Sequence, residues 1–153
     1  MAASPLLFRL YLLRTIPLAF VAGLRVRSFN DTTSVVSVPY SWRTQNPFRS
    51  TYFAAQAMAA EMSTGILGMY AVRCAPEKIS MLVLSVEGQF TKKAAGRLFF
   101  TCSNGAEFRE AIAACMADGE PRTVEAKSIG TLQDGTIAAT FTVIWTFKVK
   151  RGK

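Results

Sequence analysis

Residues 46–65 have the sequence NPFRSTYFAAQAMAAEMSTG, and the fold that we predict depends on this stretch. Ser50 is a suitable N-cap, and the alanine-rich run behind it predicts a long helix over residues 51–69. This helix is apolar on nearly every side, and such a helix is normally buried by the elements around it. The sequence therefore predicts a central helix that the rest of the chain wraps.

The regions on both sides of this helix have the composition of β-strands. Residues 24–29 and 32–39 flank an Asn-Asp turn and predict a hairpin. A short amphipathic helix is predicted over residues 106–117. The remaining strands are predicted at residues 79–90, 94–102, 123–132 and 136–148. These elements indicate an α+β fold, although the pattern alone does not single out one architecture within that class.

The composition suits one domain over residues 1–153, and it excludes several kinds of site. Histidine is absent, which excludes a Ser-His-Asp or Cys-His arrangement and the usual histidine metal sites. We expect neither a metal nor a cofactor. The three cysteines, Cys74, Cys102 and Cys115, show no CxxC spacing. They are interpreted as reduced thiols, packed as small apolar groups in a cytoplasmic protein.

The net charge of +8 favours an anionic partner such as nucleic acid, anionic lipid or a phosphorylated ligand. No base-stacking or groove-reading motif accompanies this charge, so we expect no nucleic-acid partner. The tightest basic cluster is interpreted as a frayed tail that contains Lys148, Lys150, Arg151 and Lys153.

The N-terminal region is apolar over residues 5–26 but contains Arg9 and Arg14. Arg14 and Pro17 interrupt the run, which argues against a cleaved signal peptide, and we expect residues 1–23 to be retained. Residues 4–22 predict a helix that Pro17 divides into two pieces. It either packs on the domain as an amphipathic helix or makes a weak contact with a membrane surface, its arginines facing lipid headgroups.

Glu61 is the only charged residue between Arg49 and Arg73, and it lies in the middle of the predicted central helix. Burial of a carboxylate without a partner destabilises a fold by on the order of several kcal/mol. One interpretation is that Glu61 reaches a solvated edge or pairs with an arginine. The other is a general base or nucleophile with a pKa altered by its apolar surroundings.

Asn46 precedes Pro47, which is ordinary turn chemistry, but a side-chain amide at this place could also polarise a carbonyl. The start of the following helix, residues 50–54, would add unpaired backbone N–H groups that stabilise an oxyanion. Phe53 and Glu61 are separated by about 12 Å along a helix, too far to reach one carbonyl. A site that uses both residues must therefore lie between two copies related by a twofold axis, and we expect a homodimer or a dimer of dimers.

The stretch from Asn46 to Glu61 resembles the loop and central helix of PaaI-like hotdog thioesterases, and the chain as a whole resembles most closely the branch called domain of unknown function 4442. The resemblance implies a hotdog fold, in which a curled antiparallel sheet wraps one long helix, with an additional N-terminal helix here. It also implies an acyl-CoA or similar thioester as ligand. Asn46 matches the family's asparagine and Glu61 its catalytic acid.

Two departures from the family pattern concern the site. Tyr52 and Phe53 stand where the family has a His-Gly pair. The implied substrate-binding residues are Tyr52, Phe53, Ala54, Gln56 and Ser80. Two functions follow as alternatives. In the first, the protein is a thioesterase, in which Glu61 activates water or attacks the carbonyl. In the second, the protein is a non-catalytic acyl- or lipid-binding module that kept the fold.

Overall fold

The computed structural model describes residues 5–150; the predicted tail residues Arg151 and Lys153 lie outside this part. The four helices are α1 (Pro5–Thr15), α2 (Pro17–Ala22), α3 (Phe53–Cys74) and α4 (Gly105–Asp118). The six strands are β1 (Arg25–Phe29), β2 (Ser34–Val38), β3 (Ile79–Phe90), β4 (Leu98–Cys102), β5 (Arg122–Thr131) and β6 (Ile137–Val149).

The strands form one antiparallel sheet in the order β1-β2-β4-β5-β6-β3, which curls around α3. This arrangement is the hotdog fold, so the predicted fold class is confirmed. The hairpin, the two-part N-terminal helix and the strands after the central helix also lie where the sequence predicted them, with shifts of a few residues at their ends. The edge strands of this sheet are β1 and β3.

The predicted bounds of the central helix were wrong at both ends. Ser50 is not the N-cap, because the helix begins at Phe53 after the extended residue Tyr52. Thr51 pairs with Gln45 and donates its backbone N–H to the carbonyl of Ala94 at 2.8 Å, which holds the chain out of helical geometry. At the other end the helix continues to Cys74 and stops where Ala75 becomes extended. A proline disfavours helical geometry in the residue before it, and Pro76 follows Ala75.

The alternation predicted for the last strand places four side chains in the core. Phe141, Val143, Trp145 and Phe147 of β6 are all buried and face α3. Burial of an aromatic or aliphatic side chain of this size stabilises a fold by about 1.5–3 kcal/mol. These side chains divide between two clusters, one beneath the first half of α3 and the other between α3, α4 and the sheet.

Three buried serines connect α3 to strands on both sides of it. The hydroxyls of Ser63 and Ser128 are 2.7 Å apart, and that of Ser63 donates to the carbonyl of Ala60 at 2.8 Å. Ser34 donates its hydroxyl to the carbonyl of Ser63. Each buried hydroxyl therefore has a partner, as a protein interior requires.

The cysteines follow the prediction only in part. Cys102 and Cys115 are buried as expected, and burial raises the pKa of the Cys102 thiol to about 11. Cys74 is exposed, because α3 ends there beyond the edge of the sheet. All three are free thiols.

The close contact of α4 with the β1–β2 turn gives the first prediction. A Cβ atom at Gly105 would lie 2.2 Å from the carbonyl oxygen of Asp31, and the Gly105 N–H donates to Thr32 at 3.0 Å. Gly105→Ala therefore requires the backbone to move, and we expect it to lower the free energy of unfolding by about 1–3 kcal/mol in a urea titration. Gly96→Ala is the matched control, since its nearest neighbour, Leu132, would be at 3.5 Å. Equal stabilities of the two variants would contradict the prediction.

Candidate functional site

One side of α3 is not covered by the chain itself. Ala54, Ala57, Met58 and Glu61 are half-buried, whereas eleven other residues of the helix are buried. Their spacing of i, i+3, i+4 and i+7 puts them in one row along the helix surface. We call this row the α3 stripe. The sequence predicted burial on all sides, and in the single chain this side remains open.

The Glu61 side chain lies at the end of the α3 stripe, next to the indole of Trp145. A Cβ atom at Gly65 would lie 3.5 Å from Glu61 Oε1 and 3.2 Å from Cζ2 of Trp145, so the carboxyl and the indole meet at this glycine. The indole Nε1 donates to the Thr64 hydroxyl at 2.9 Å and is not free to bind the carboxylate. Burial raises the pKa of the Glu61 carboxyl, and among the described residues it has no ion-pair partner. The arginine partner considered as an alternative is therefore not found there.

The open side of α3 faces the uncovered edge of the sheet. Gly68 lies against Met81 and Gly65 against Trp145, which pairs with Val83. One turn of α3 rises about 5.4 Å, which is close to the advance of two residues along a strand. Counted back from Gly65, which is level with Val83, Glu61 is level with about Val86 and the helix start with about Phe90. Val86 and Phe90 face the helix side of the sheet, since they pair with the core strand at Val143 and Ala139.

These two β3 side chains are nevertheless exposed, Val86 by 46% and Phe90 by 50%. The α3 stripe and the helix-facing side of β3 therefore form an open groove, with Glu61 on one wall and apolar side chains on the other. We call it the α3–β3 groove.

The start of α3 supplies the donors that were expected. The backbone N–H groups of Phe53 and Ala54 have no acceptor within residues 5–150. Such groups, together with the helix dipole, favour an anionic oxygen. The rings of Tyr52 and Phe53 lie beside them, with centroids 4.8 Å apart, and are exposed by 46% and 56%. Tyr52 and Phe53 stand at the two positions where the thioesterase pattern has its His-Gly pair.

Asn46 organises its own loop. Its Oδ1 accepts hydrogen bonds from the N–H groups of Phe48 at 3.0 Å and Ser50 at 3.1 Å, and its Nδ2 donates to Ser50 Oγ at 3.0 Å. The turn role proposed for Asn46 is therefore present. The amide nitrogen carries a second N–H, which the described residues leave without an acceptor. A role towards a ligand thus depends on this one N–H.

The remaining predicted residues lie apart from this group. Gln56 is buried rather than on the helix surface. Its Nε2 donates to the carbonyl of Thr51 at 2.9 Å, and its Oε1 lacks a partner among the described residues. Ser80 faces the side of the sheet away from α3 and donates to the carbonyl of Lys148 at 3.0 Å. The structure therefore brings Ala54 and Glu61 to one groove and leaves Gln56 and Ser80 outside it.

Sequence reasoning did not identify Trp145, Val86 or Phe90 as parts of the site. Alternation in β6 indicated that Trp145 points inwards, but its position against Gly65, near Glu61, depends on the packing of α3. The exposure of Val86 and Phe90 depends on β3 being an edge strand, which the order of strands along the chain does not indicate.

Two other features bear on where a ligand could bind. A shallow depression of about 420 Å³ between α4 and β5 does not include Asn46 or Glu61; it is lined by Glu107, Glu110, Ala111, Ala114, Arg122, Thr123, Val124 and Glu125. Among residues 5–150, no three acidic or cysteine side chains are grouped so that they could hold a metal ion. The α3–β3 groove is therefore the place where a helix start, a carboxyl group and apolar walls occur together.

The raised pKa of Glu61 gives a prediction about stability and pH. The ionised carboxylate is disfavoured in the folded chain, and this cost disappears at low pH, where the group is protonated in both the folded and unfolded states. We expect Glu61→Gln to raise Tm at about pH 7.5 and to lose this advantage below about pH 4. Calorimetric scans across this range measure the effect, with the exposed Glu125→Gln as control. A variant no more stable than the original protein at the higher pH would disprove it.

The comparisons with known proteins agree with this fold. A protein of unknown function from Pseudomonas aeruginosa, described as a probable thioesterase, has a TM-score of 0.81 at 16% identity, covering 98% of this chain and 99% of that one. A thioesterase from Haemophilus influenzae has a TM-score of 0.70 at 8% identity, covering 97% and 93%. A thioesterase from Staphylococcus aureus, solved as a Gln→Ala variant, has a TM-score of 0.63 at 14% identity, covering 90% and 98%.

At these identities the likeness shows the fold. No curated protein gives a significant match. The family described as Domain of unknown function (DUF4442) matches residues 5–146, and the chain belongs to that family.

Proposed function

We propose that the protein hydrolyses thioesters, of the acyl-CoA class, in the α3–β3 groove after a second copy has closed it. The observation that carries this proposal is the position of Glu61. Its carboxyl has a raised pKa, lacks an ion-pair partner among the described residues, and stands at the end of an open, apolar stripe. A carboxyl group placed in this way is typical of a general base or nucleophile.

The proposed dimer follows from the two uncovered surfaces of the groove. The α3 stripe includes Ala54 and Ala57, whose small side chains allow another helix to approach closely. The neighbouring strand β3 has a free edge and exposes Leu84, Val86 and Phe90. Long apolar edge strands are rarely left unpaired, because their free N–H and C=O groups recruit other chains. A twofold partner would cover both surfaces and bring its own helix start towards Glu61.

The mechanism uses groups from both copies. Ionised Glu61 takes a proton from a water molecule, and the water oxygen attacks the thioester carbonyl carbon. The partner helix would stabilise the resulting oxyanion through the N–H groups at its start, those of Phe53 and Ala54, aided by Asn46. Collapse of the intermediate breaks the C–S bond, and the leaving sulfur takes the proton held by Glu61 and departs as a free thiol. The acyl group is left as a carboxylic acid, and Glu61 is ionised again. The apolar walls lower the dielectric around these charges and strengthen the stabilisation.

The spacing of two altered residues in a similar structure supports these roles. The Staphylococcus aureus thioesterase was solved with a glutamine and, separately, a glutamate replaced by alanine, and these two positions are fifteen residues apart. Asn46 and Glu61 have the same separation. An asparagine in the place of a glutamine has a shorter side chain that keeps an amide donor.

The positive charge would serve the coenzyme portion of the substrate. Lys92 and Lys93 are exposed and lie two and three residues after Phe90, the last residue of β3. They are therefore placed to meet phosphate groups at that end of the groove. The free thiols of the chain suit a reducing compartment, and we propose the cytoplasm.

The alternative function is a non-catalytic acyl- or lipid-binding module. The exposed rings of Tyr52 and Phe53 favour it, since they narrow the approach to the helix start. An acyl chain could still lie along Val86 and Phe90. The two functions are separated by whether Glu61 is needed for turnover or only for affinity.

Replacement of the carboxyl tests the enzymatic proposal. Glu61→Gln keeps the shape and removes the base, and we expect kcat/KM for the best acyl-CoA to fall about 100-fold or more. For the unmodified protein, kcat/KM should rise with pH as Glu61 ionises, above the usual range of a carboxyl. Release of free thiol measures both. Glu125→Gln serves as control, and full activity in Glu61→Gln would leave only the binding function.

The matching test for Asn46 separates its two roles. Asn46→Ala is expected to cost about 10- to 1000-fold in kcat, as loss of an oxyanion donor does. Asn46→Asp keeps the acceptor for the N–H groups of Phe48 and Ser50 but removes the amide N–H. An active Asn46→Asp protein would assign Asn46 to the loop alone.

The dimer is tested by placing charge on the α3 stripe. Ala57→Arg adds a long charged side chain to a half-buried position, and the resulting cost should convert the protein to a monomer. Light scattering at micromolar concentration measures the mass. Ile137→Arg, at an exposed apolar position of β6, is the control and should remain oligomeric. An unmodified protein that is monomeric under these conditions would refute the dimer and with it the two-chain site.

A further inference from the structure

The N-terminal helices present an exposed apolar surface that the proposed reaction does not use. Leu12, Ala19 and Ala22 are buried and hold α1 and α2 against the core. The opposite sides are exposed, with Leu10 at 53% and Leu18 at 66%. We call this surface the N-terminal apolar face; it comprises Leu7, Leu10, Leu13, Ile16, Leu18 and Val21.

Three exposed leucines follow one another along α1. Leu7 and Leu10 lie on the side of the helix opposite the buried Leu12, and Leu13 lies at roughly a right angle to it. A helix that is apolar on its outer as well as its inner side normally has both sides covered. Scattered apolar residues on a surface need no explanation, but a contiguous group of this size marks an interaction site.

The charges around this face are of one sign. Residues 1–30 contain no aspartate or glutamate. Arg14 is exposed on the same side of α1 as Leu10, and the guanidinium of Arg9 lies 5.2 Å from the ring of Phe20 in α2. At the end of α2, Arg43 Nη2 lies 3.9 Å from where a Cβ of Gly23 would stand. Arginines therefore lie among the exposed leucines of α1 and beside the end of α2.

This charge decides which partner fits. A twofold contact of the face with itself would bring arginines together with no acidic residue of the segment to neutralise them. An anionic lipid surface accepts both features, because its headgroups neutralise arginine and its acyl region accepts leucine. Within residues 5–150 no helix has the length and hydropathy needed to cross a bilayer, so the contact would be a surface one.

We propose that the N-terminal apolar face docks the protein on an anionic lipid bilayer, with α1 and α2 lying in the plane of the headgroups. The inference does not depend on the thioesterase proposal. The thiol-release assay with a short-chain, freely soluble acyl-CoA is expected to be unaffected by variants of this face.

Co-sedimentation with vesicles tests the proposal. The full chain should pellet with vesicles of equal parts phosphatidylcholine and phosphatidylglycerol, and much less with phosphatidylcholine alone. The double variant Leu10→Glu/Leu13→Glu is expected to partition more than about tenfold less, since it places two charges in the acyl region. Arg14→Gln should lower partitioning about fivefold, the effect of one basic residue near an anionic surface. Ile137→Glu is the control at an exposed apolar position elsewhere.

The outcomes distinguish a bilayer from a second copy of the chain as the occupant of the face. Loss of vesicle binding in both N-terminal variants, with unchanged circular dichroism and unchanged mass by light scattering, supports the bilayer. Equal binding of all variants, or no binding of the unmodified chain, overturns the proposal. A fall in oligomeric mass of Leu10→Glu/Leu13→Glu would show that a second copy covers the face instead, and also overturns it.

Discussion

The contact between the Trp145 indole and Gly65 is the constraint on which the site depends. A side chain at Gly65 would lie 3.2 Å from the indole, so glycine allows α3 to lie directly on β6. The hydrogen bond from the indole nitrogen to Thr64 fixes the ring, and its nitrogen is thereby satisfied in a buried place. One turn earlier in the helix, Glu61 directs its carboxyl toward the same glycine, with Oε1 3.5 Å from where a Gly65 side chain would begin. The burial that raises the pKa of Glu61 is therefore a consequence of how closely the helix approaches the sheet.

The same packing leaves one side of α3 uncovered in the single chain. The sheet covers α3 on the side of Ser63 and Leu67, whereas the α3 stripe is left half-exposed. β3 pairs with β6 along its whole length, but its helix-facing residues Val86 and Phe90 remain exposed beside the α3 stripe. The chain thus leaves a helix surface and a strand surface open side by side. An open groove of this kind lets solvent reach Glu61, and a second copy would remove most of that solvent.

The sequence predicted the features that depend on local pattern. Alternation in β6 predicted the inward side chains of that strand, and the lone charge of the alanine-rich helix singled out Glu61, which the structure shows to be half-buried. The predicted start of α3 was wrong because the actual start depends on the hydrogen bond from Thr51 to Ala94, a residue far away in the sequence. The exposure of β3 depends on strand order, and strand order follows from packing of the whole sheet. Asn46 looked like either a turn residue or a ligand-binding residue, and its hydrogen bonds show that the turn role is filled.

The two aromatic residues at the start of α3 bear on whether a ligand can reach the free backbone N–H groups there. In a packed core, rings of this size would block the approach, since moving them would cost the free energy of their burial. Here Tyr52 and Phe53 are about half-exposed and contact each other edge to face, so the rings can rotate into solvent at little cost. The backbone N–H groups of Phe53 and Ala54 do not depend on the side chains and remain directed out of the helix. Phe53 in the place of the pattern's glycine therefore narrows the route to these N–H groups without removing them. Its ring also adds an apolar surface on which an acyl group or a partner helix could pack.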